Sequence, residues 1–236
     1  METAENKGGV PRQPQRVLLL YYSFSGQTMG LLNRLAVGLK EQGVEVVMEK
    51  LRPVEPLRFP IGTVMATFKM MIITLFRRRV AIEELSDVCR QEFELIILAG
   101  PTWSYNPSGP ILTMLDRDGP VLLRDRVVLP LISCRGYWRM HWYGLRSILR
   151  RCGAAVPNYM VFSHPSPEPW RTIGVFLKLA GKNPERAMLI GRYYRRFGHT
   201  RQQMDEAWSF GRMIGEALQN GTPLAGFNFL NKISVP

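Results

Sequence analysis

The sequence predicts an α/β chain built as a doubly wound, five-stranded parallel sheet with two insertions, and three features carry that prediction. Five short runs rich in branched and aromatic residues are separated by helix-like segments. The third run, FELIILA, is apolar almost without a break, as a strand covered on both faces requires. Strand and helix alternate along the chain, an order that leads to parallel strands joined by crossover helices.

Taken from the amino terminus, residues 1–15 (METAENKGGVPRQPQ) are polar and rich in Gly and Pro and read as a flexible leader rather than a secretory signal. The expected location is therefore the cytoplasm. The apolar run VLLLYY makes residues 17–22 the first strand, and 29–42 follow as a helix. VEVVME supplies the second strand at 44–49, FELIILA the third at 93–99, VVLPLI the fourth at 127–132 and YMVF the last at 159–162. Further helices are expected at 63–79, 110–115, 142–152 and 203–219. One domain thus runs from 16 to 220. Its insertions, near 51–92 and 163–200, exceed what a minimal unit needs, and segments of that length usually carry function or structure of their own. The tail at 221–236 opens with helix-stopping Gly221 and Pro223 and is expected to pack irregularly on the surface.

A hydrophobic content of 46% suits a buried core, and the net charge of +12 is concentrated: residues 135–201 hold thirteen Lys and Arg against Glu168 and Glu185. Such a patch attracts nucleic acid, anionic lipid or an acidic protein, and charge alone does not choose among them. Cys89, Cys134 and Cys152 lack the close spacing of metal ligands and are odd in number, so neither a disulfide framework nor a zinc site is expected. His141, His164 and His199 are scattered, and no metal is expected from them either.

Three loops follow strands and carry chemistry. After the first strand stands Ser23-Phe24-Ser25-Gly26-Gln27-Thr28, leading straight into a helix. Hydroxyls and backbone N–H groups there converge on the positive end of a helix, which suits a phosphate held without a metal. After the third strand comes Gly100-Pro101-Thr102-Trp103-Ser104-Tyr105-Asn106, with Trp103 and Tyr105 able to pack against a planar ring. After the fourth comes Ser133-Cys134-Arg135-Gly136-Tyr137-Trp138, where Arg135 can stabilise negative charge and Cys134 reads as a packed thiol. All three fall at the strand ends where open α/β sheets bind ligands.

The first loop resembles the phosphate loop of the flavodoxin family, [ST]-x-[ST]-G-x-T, with Gln27 where many members have Asn. The second and third loops look like that family's ring-contacting loops. The resemblance covers about 16–162 and the final helix and implies one FMN. The phosphate would lie on Ser23, Ser25, Gly26, Gln27 and Thr28 beside Phe24, and the ring among Pro101, Thr102, Trp103, Ser104, Tyr105 and Asn106 and among Ser133, Cys134, Arg135, Gly136 and Tyr137. Taken together, YYSFSGQ, VEPLRFP, NPSGP, SCRGYW and GAAVPNYMVF look like the flavodoxin-like dialkylresorcinol condensing enzymes, which implies oxidation of a cyclic dione to an alkylated resorcinol. Here Gly-Pro-Thr-Trp is closer to ordinary flavodoxin, and MATFKMMIITLF replaces an aromatic-rich run. Residues 170–201 have a texture similar to the insertion of the flavodoxin-like protoporphyrinogen oxidases.

Val64, Met65, Phe68, Met71, Ile72, Leu75 and Phe76 form a stripe at three-and-four spacing, followed by Arg77, Arg78 and Arg79. The stripe fits a crossover helix covering the sheet or an interfacial helix equally. It is too short to span a bilayer. The segment 170–182, with Trp170, Ile173, Phe176, Leu177 and Leu179 beside Arg171, Lys178 and Lys182, is a second interfacial candidate. The run from Arg192 to Phe197, Arg195 included, has aromatic and basic residues that suit nucleic acid, but no recognised nucleic-acid module accompanies it.

The leading expectation is an FMN-dependent oxidoreductase that transfers hydride to or from a hydrophobic cyclic substrate, of the dialkylresorcinol or quinone type. Arg135, Tyr137, His141 and Tyr143 are its catalytic candidates. The alternative is a flavodoxin-type electron carrier docking on a redox partner or an anionic membrane surface. A third is a membrane-associated binding protein without turnover.

Overall fold

The structure, a computed structural model, describes residues 14–194 and 196–230, so most of the leader, Arg195 and the last residues of the tail lie outside the described residues. In chain order its elements are β1 (Arg16–Tyr21), α1 (Gln27–Glu41), β2 (Glu45–Lys50), α2 (Val64–Leu75), β3 (Leu95–Trp103), β4 (Asn106–Pro107), α3 (Gly109–Arg117) and α4 (Gly119–Leu122). They continue with β5 (Val128–Cys134), α5 (Trp138–Arg151), β6 (Met160–Ser163), α6 (Trp170–Leu179) and α7 (Arg201–Asn220).

The main strands lie in the order β2-β1-β3-β5-β6 and pair in parallel throughout, with Leu18 beside Ile96, Ile97 beside Leu129 and Ile132 beside Val161. This is the doubly wound order whose ligand crevice lies where the connections reverse, between β1 and β3. The short β4 folds back antiparallel on the end of β3. Alternate side chains enter two layers. Val17, Leu19 and Tyr21 meet α1 and α7, whereas Leu18, Leu20 and Tyr22 meet α3 and α5. The central strands are buried on both faces, and the edge strand β2 carries exposed Glu45 and Lys50 instead, which blunts pairing with another chain.

Sequence and structure differ at several element ends. Helix α7 begins before residue 203 because Thr200 and Gln203 form a reciprocal capping box. Helix α5 begins at Trp138, and α2 stops at Leu75, well short of 79, where Arg77 turns to a left-handed φ of 56°. The described part of the tail, 221–230, is mostly exposed and irregular but anchored: Leu224 and Phe229 are buried, Phe229 packs edge-on against Phe210, and Asn158 Nδ2 donates to the Leu224 and Phe227 carbonyls. Its apolar residues at 224, 227 and 229 finish the core that the helix-stopping start had obscured. No helix among the described residues is long and apolar enough to cross a membrane.

The two insertions meet over the carboxyl ends of the strands. Ile61 and Gly62 donate their backbone N–H groups to the Leu179 carbonyl, and the Phe59 and Phe197 rings stack at 5.6 Å. A roof of this kind is what the length of the two segments supplies.

Candidate functional site

Beneath that roof lies a two-lobed hollow. The smaller lobe, about 110 Å3, is lined by Ser25, Gln27 and Thr28 of the first loop, by Pro101, Thr102 and Trp103, and by Ser133, Cys134 and Arg135. The larger, about 260 Å3, runs on between Thr102–Tyr105, Arg135–Tyr137 and the inner sides of α2 and α6. Both lobes are bordered by Met70, Thr102, Trp103, Arg135, Val175 and Leu179, which sets them side by side.

The first lobe is built for an anion. Gly26 caps α1 with a left-handed φ of 82°, a turn that glycine adopts without strain and that leaves open space where a Cβ would stand. The N–H groups of a fifteen-residue helix then face the lobe with their positive end. Thr28 is buried at its wall, and Ser23 Oγ accepts from the Met29 N–H, so Ser23 serves the turn itself. His164 adds a donor. Its Nδ1 accepts from the Ser166 N–H at 3.2 Å, which leaves the proton on Nε2. His164 borders the lobe, while its Nε2 is buried without a well-formed hydrogen bond, the Arg196 backbone giving only a weak pull. Burial, with the charges of His199 and Arg171, pushes the His164 pKa down to about 3, so the ring is neutral at pH 7.

The second lobe is apolar and flat-walled. Trp103 is nearly buried, edge-on to Tyr22 and Phe24 at 5.6 and 5.7 Å. Tyr105 and Tyr137 meet at 5.8 Å at the mouth. Ser104, Tyr105 and Tyr137 all hold left-handed φ values, 43°, 70° and 51°, a conformation that costs non-glycine residues of order 1–2 kcal/mol each. Contacts with α2 hold the first two in place. Ser104 Oγ donates to the Met71 carbonyl, and Asn106 Nδ2 donates to the carbonyls of Thr74 and Leu75 while its Oδ1 accepts from Arg77 Nε.

The geometry therefore corrects part of the expected set. Asn106 spends its amide on α2 and Arg77 and braces the ring loop without lining the hollow, whereas Ser104 borders the larger lobe while its hydroxyl bonds α2. His141 lies buried behind that loop with Nδ1 2.6 Å from Thr102 Oγ1, and burial lowers its pKa to about 3, so it positions Thr102. Tyr143 borders a surface groove with Arg146, Ser147, Arg150 and Arg151 on the outer side of α5, away from the hollow. Cys134 touches the first lobe as a thiol. Burial pushes its pKa up to about 11, and Ser163 Oγ lies 3.3 Å from its sulfur. Phe24, Arg135, Gly136 and Tyr137 stand where the loop reading put them, with the Arg171 guanidinium over Gly136.

Several lining residues lay outside the sequence reading: Phe59, Met70, Val175, Leu179 and Phe197 from the insertions, and His164. His164 had a signal, since it directly follows β6 at the carboxyl edge where ligands sit.

No family model and no curated protein matches the chain. Solved structures do. A Bacteroides eggerthii protein designated a flavoprotein is 14% identical, with 70% of this chain and 98% of that one covered and a TM-score of 0.51. Rubredoxin oxygen:oxidoreductase of Desulfovibrio gigas is 12% identical over 88% of this chain at a TM-score of 0.50, the match spanning 37% of that larger protein. An archaeal flavodoxin is 13% identical, with 87% and 99% covered and a TM-score of 0.48. Identities so low speak for architecture alone. With the strand order above, they establish that the chain has the flavodoxin-like fold.

Proposed function

We propose that the protein binds one FMN and is an FMN-dependent oxidoreductase acting on a hydrophobic cyclic substrate. The observation that carries the reading is the adjacency of the two lobes: a small one beside the α1 N-terminus shares its walls with a larger, mostly apolar one. The residues present fit the cofactor. Thr28, Ser25 and the first N–H groups of α1 would hold its phosphate, with the neutral His164 ring at the wall of the same lobe. Trp103, Tyr105 and Tyr137 would border its ring.

When bound, FMN supplies the hydride chemistry. The chain supplies the rest. Arg135 borders both lobes, and its guanidinium stabilises negative charge developing on the ring or on substrate. Met71, Val175 and Phe176 exclude water from the apolar lobe and favour an uncharged, ring-shaped substrate over a polar one. A cyclic dione that becomes a resorcinol fits that description, as does a quinone. Tyr137, half exposed at the mouth, is placed to exchange a proton with solvent. The roof formed by both insertions favours an enzyme over an electron carrier, which works best with its ring edge open to a partner.

Reconstitution tests this. FMN should co-elute with the protein at one per chain, and Thr28→Ala should weaken it by about 1.5 to 3 kcal/mol, the usual worth of a hydrogen bond to a charged group. Riboflavin, lacking the phosphate, should lose far less. Equal losses for the two ligands, or no FMN binding by folded protein, would remove the proposal. Turnover of NADH or NADPH with quinones then separates enzyme from carrier.

A further inference from the structure

The helix α2 is built inside out. Its buried residues are Thr67 and Thr74, whereas Val64, Met65, Phe68, Ile72, Leu75 and the adjoining Phe76 are exposed by 45 to 79%. At 100° per residue, Met65, Phe68, Ile72 and Phe76 fall on one face, and the threonines fall opposite. The inward hydroxyls are satisfied within the helix, Thr67 donating to the Thr63 carbonyl at 2.7 Å and Thr74 to that of Met70 at 2.9 Å. Nothing in the fold thus demands that the apolar side point outward, and a contiguous exposed apolar face of this kind marks a contact surface.

We propose that this face docks on an anionic phospholipid bilayer, with α2 lying in the interface. Charge selects this occupant. Lys69 lies at the edge of the face and Arg77, Arg78 and Arg79 cluster at its carboxyl end. Arg79 pairs with Asp116 and Arg77 bonds Asn106, but Lys69 and Arg78 have no ion pair among the described residues. Arg58 and Glu55 lie beside Arg78 and Arg79 on the Met70–Ile73 flank of α2, off the apolar face itself. A second copy related by a two-fold axis would set these cations against themselves, whereas anionic headgroups neutralise them while the acyl boundary takes Met65, Phe68 and Phe76.

The placement has a consequence for the hollow. Phe68, Ile72 and Leu75 belong to the exposed face and also line the larger lobe, as does half-exposed Tyr137. Docking turns the mouth of that lobe toward the bilayer, so a lipid-soluble ring compound can enter without crossing water. The docking itself does not depend on what cofactor the hollow takes. Residues 170–182 are the second interfacial candidate of the sequence, but α6 is mostly half-buried and gives Val175, Phe176 and Leu179 to the hollow.

Co-sedimentation with phosphatidylcholine vesicles, with and without 30% phosphatidylglycerol, tests the proposal. Wild-type protein should bind the mixed vesicles at low salt, weakly the neutral ones, and release partly as salt rises. Lys69→Gln with Arg78→Gln should weaken binding about thirtyfold, at roughly a factor of five to six per cation near the surface. Met65→Ser with Phe76→Ser should remove the fraction that survives high salt. Arg150→Gln with Arg151→Gln, on the far end of α5, should change binding several times less, and an equal loss there would reduce the effect to general attraction by a basic protein. Hydrogen exchange on the wild type needs no variant: vesicles should protect residues 64–76. Failure to bind anionic vesicles at low salt, binding with 64–76 unprotected, or a dimer in sedimentation that Met65→Ser with Phe76→Ser splits would overturn it.

Discussion

Helix α7 turns Ala207, Phe210, Ile214 and Ala217 toward α1 and the sheet and leaves Asp205, Arg212 and Glu216 in water, while α2 buries two threonines and exposes Met65, Phe68 and Ile72. Both helices have the same kind of periodic stripe. The difference lies in what each stripe meets. At α7 the stripe must cover the sheet, and the fold itself fixes which face goes inward. At α2 hydroxyls and Met70 brace the ring loop and border the hollow, the stripe meets the rest of the chain only where Phe68, Ile72 and Leu75 edge the larger lobe, and its outer side is left for something outside the chain.

The comparison breaks hardest at the α1–α7 seam. A Cβ on Gly38 would collide with the Trp208 carbonyl and one on Gly211 with the Leu35 carbonyl, so the two backbones touch. Gly211→Val should cost about 3 kcal/mol or more, read as a lower urea midpoint, because backbone cannot yield as a side chain does. A loss under about 1 kcal/mol would mean that the seam opens easily, and α7 would be no more tightly specified than α2.

Acid should act next most strongly, and at the site end of the sheet. Burial lowers His141 and His164 to about 3 and His199 to about 4, against an ordinary value of 6.5. Between about pH 6.5 and pH 4 the unfolded chain therefore binds protons that the folded chain refuses, and stability falls as pH falls through that window. Each histidine contributes up to about 1.4 kcal/mol per pH unit there. Urea midpoints from pH 7 to 4.5 should show the slope, and His164→Asn should flatten it by about one proton. Stability independent of pH across that range would mean that the three rings charge freely in the fold.

The parts of the molecule that packing dictates were legible. FELIILA could be a buried central strand and little else, and the hydroxyl-rich turn before α1 could only end at a helix N-terminus. What escaped depended on partners distant in sequence. Asn106 sits in a ring-contact motif, yet its amide is claimed by carbonyls of α2 some thirty residues earlier. Tyr143 and His141 differ by two residues on one helix, which sends one to an outer groove and the other beneath the ring loop. Periodicity located α2 but could not say which side faced inward, because that was settled by threonines able to satisfy their own hydroxyls.

The smallest effect is the sharpest test of the contrast. Met65→Ser with Phe76→Ser removes two large apolar side chains, 75% and 79% exposed, and in buffer without lipid it should shift stability by no more than about 0.5 kcal/mol, as surface substitutions usually do. The matching change on α7, Ile214→Ala at a fully buried side chain, should cost about 2 to 5 kcal/mol. If chemistry were all that mattered, the serine pair would be at least as costly, since it deletes more apolar surface. Location decides instead: these side chains are as wet in the folded chain as in the unfolded one, so folding gains little from them. A loss above about 1.5 kcal/mol for the α2 pair, measured at low protein concentration to exclude self-association, would show that the face is covered within the single chain, and α2 would then be an ordinary core helix like α7.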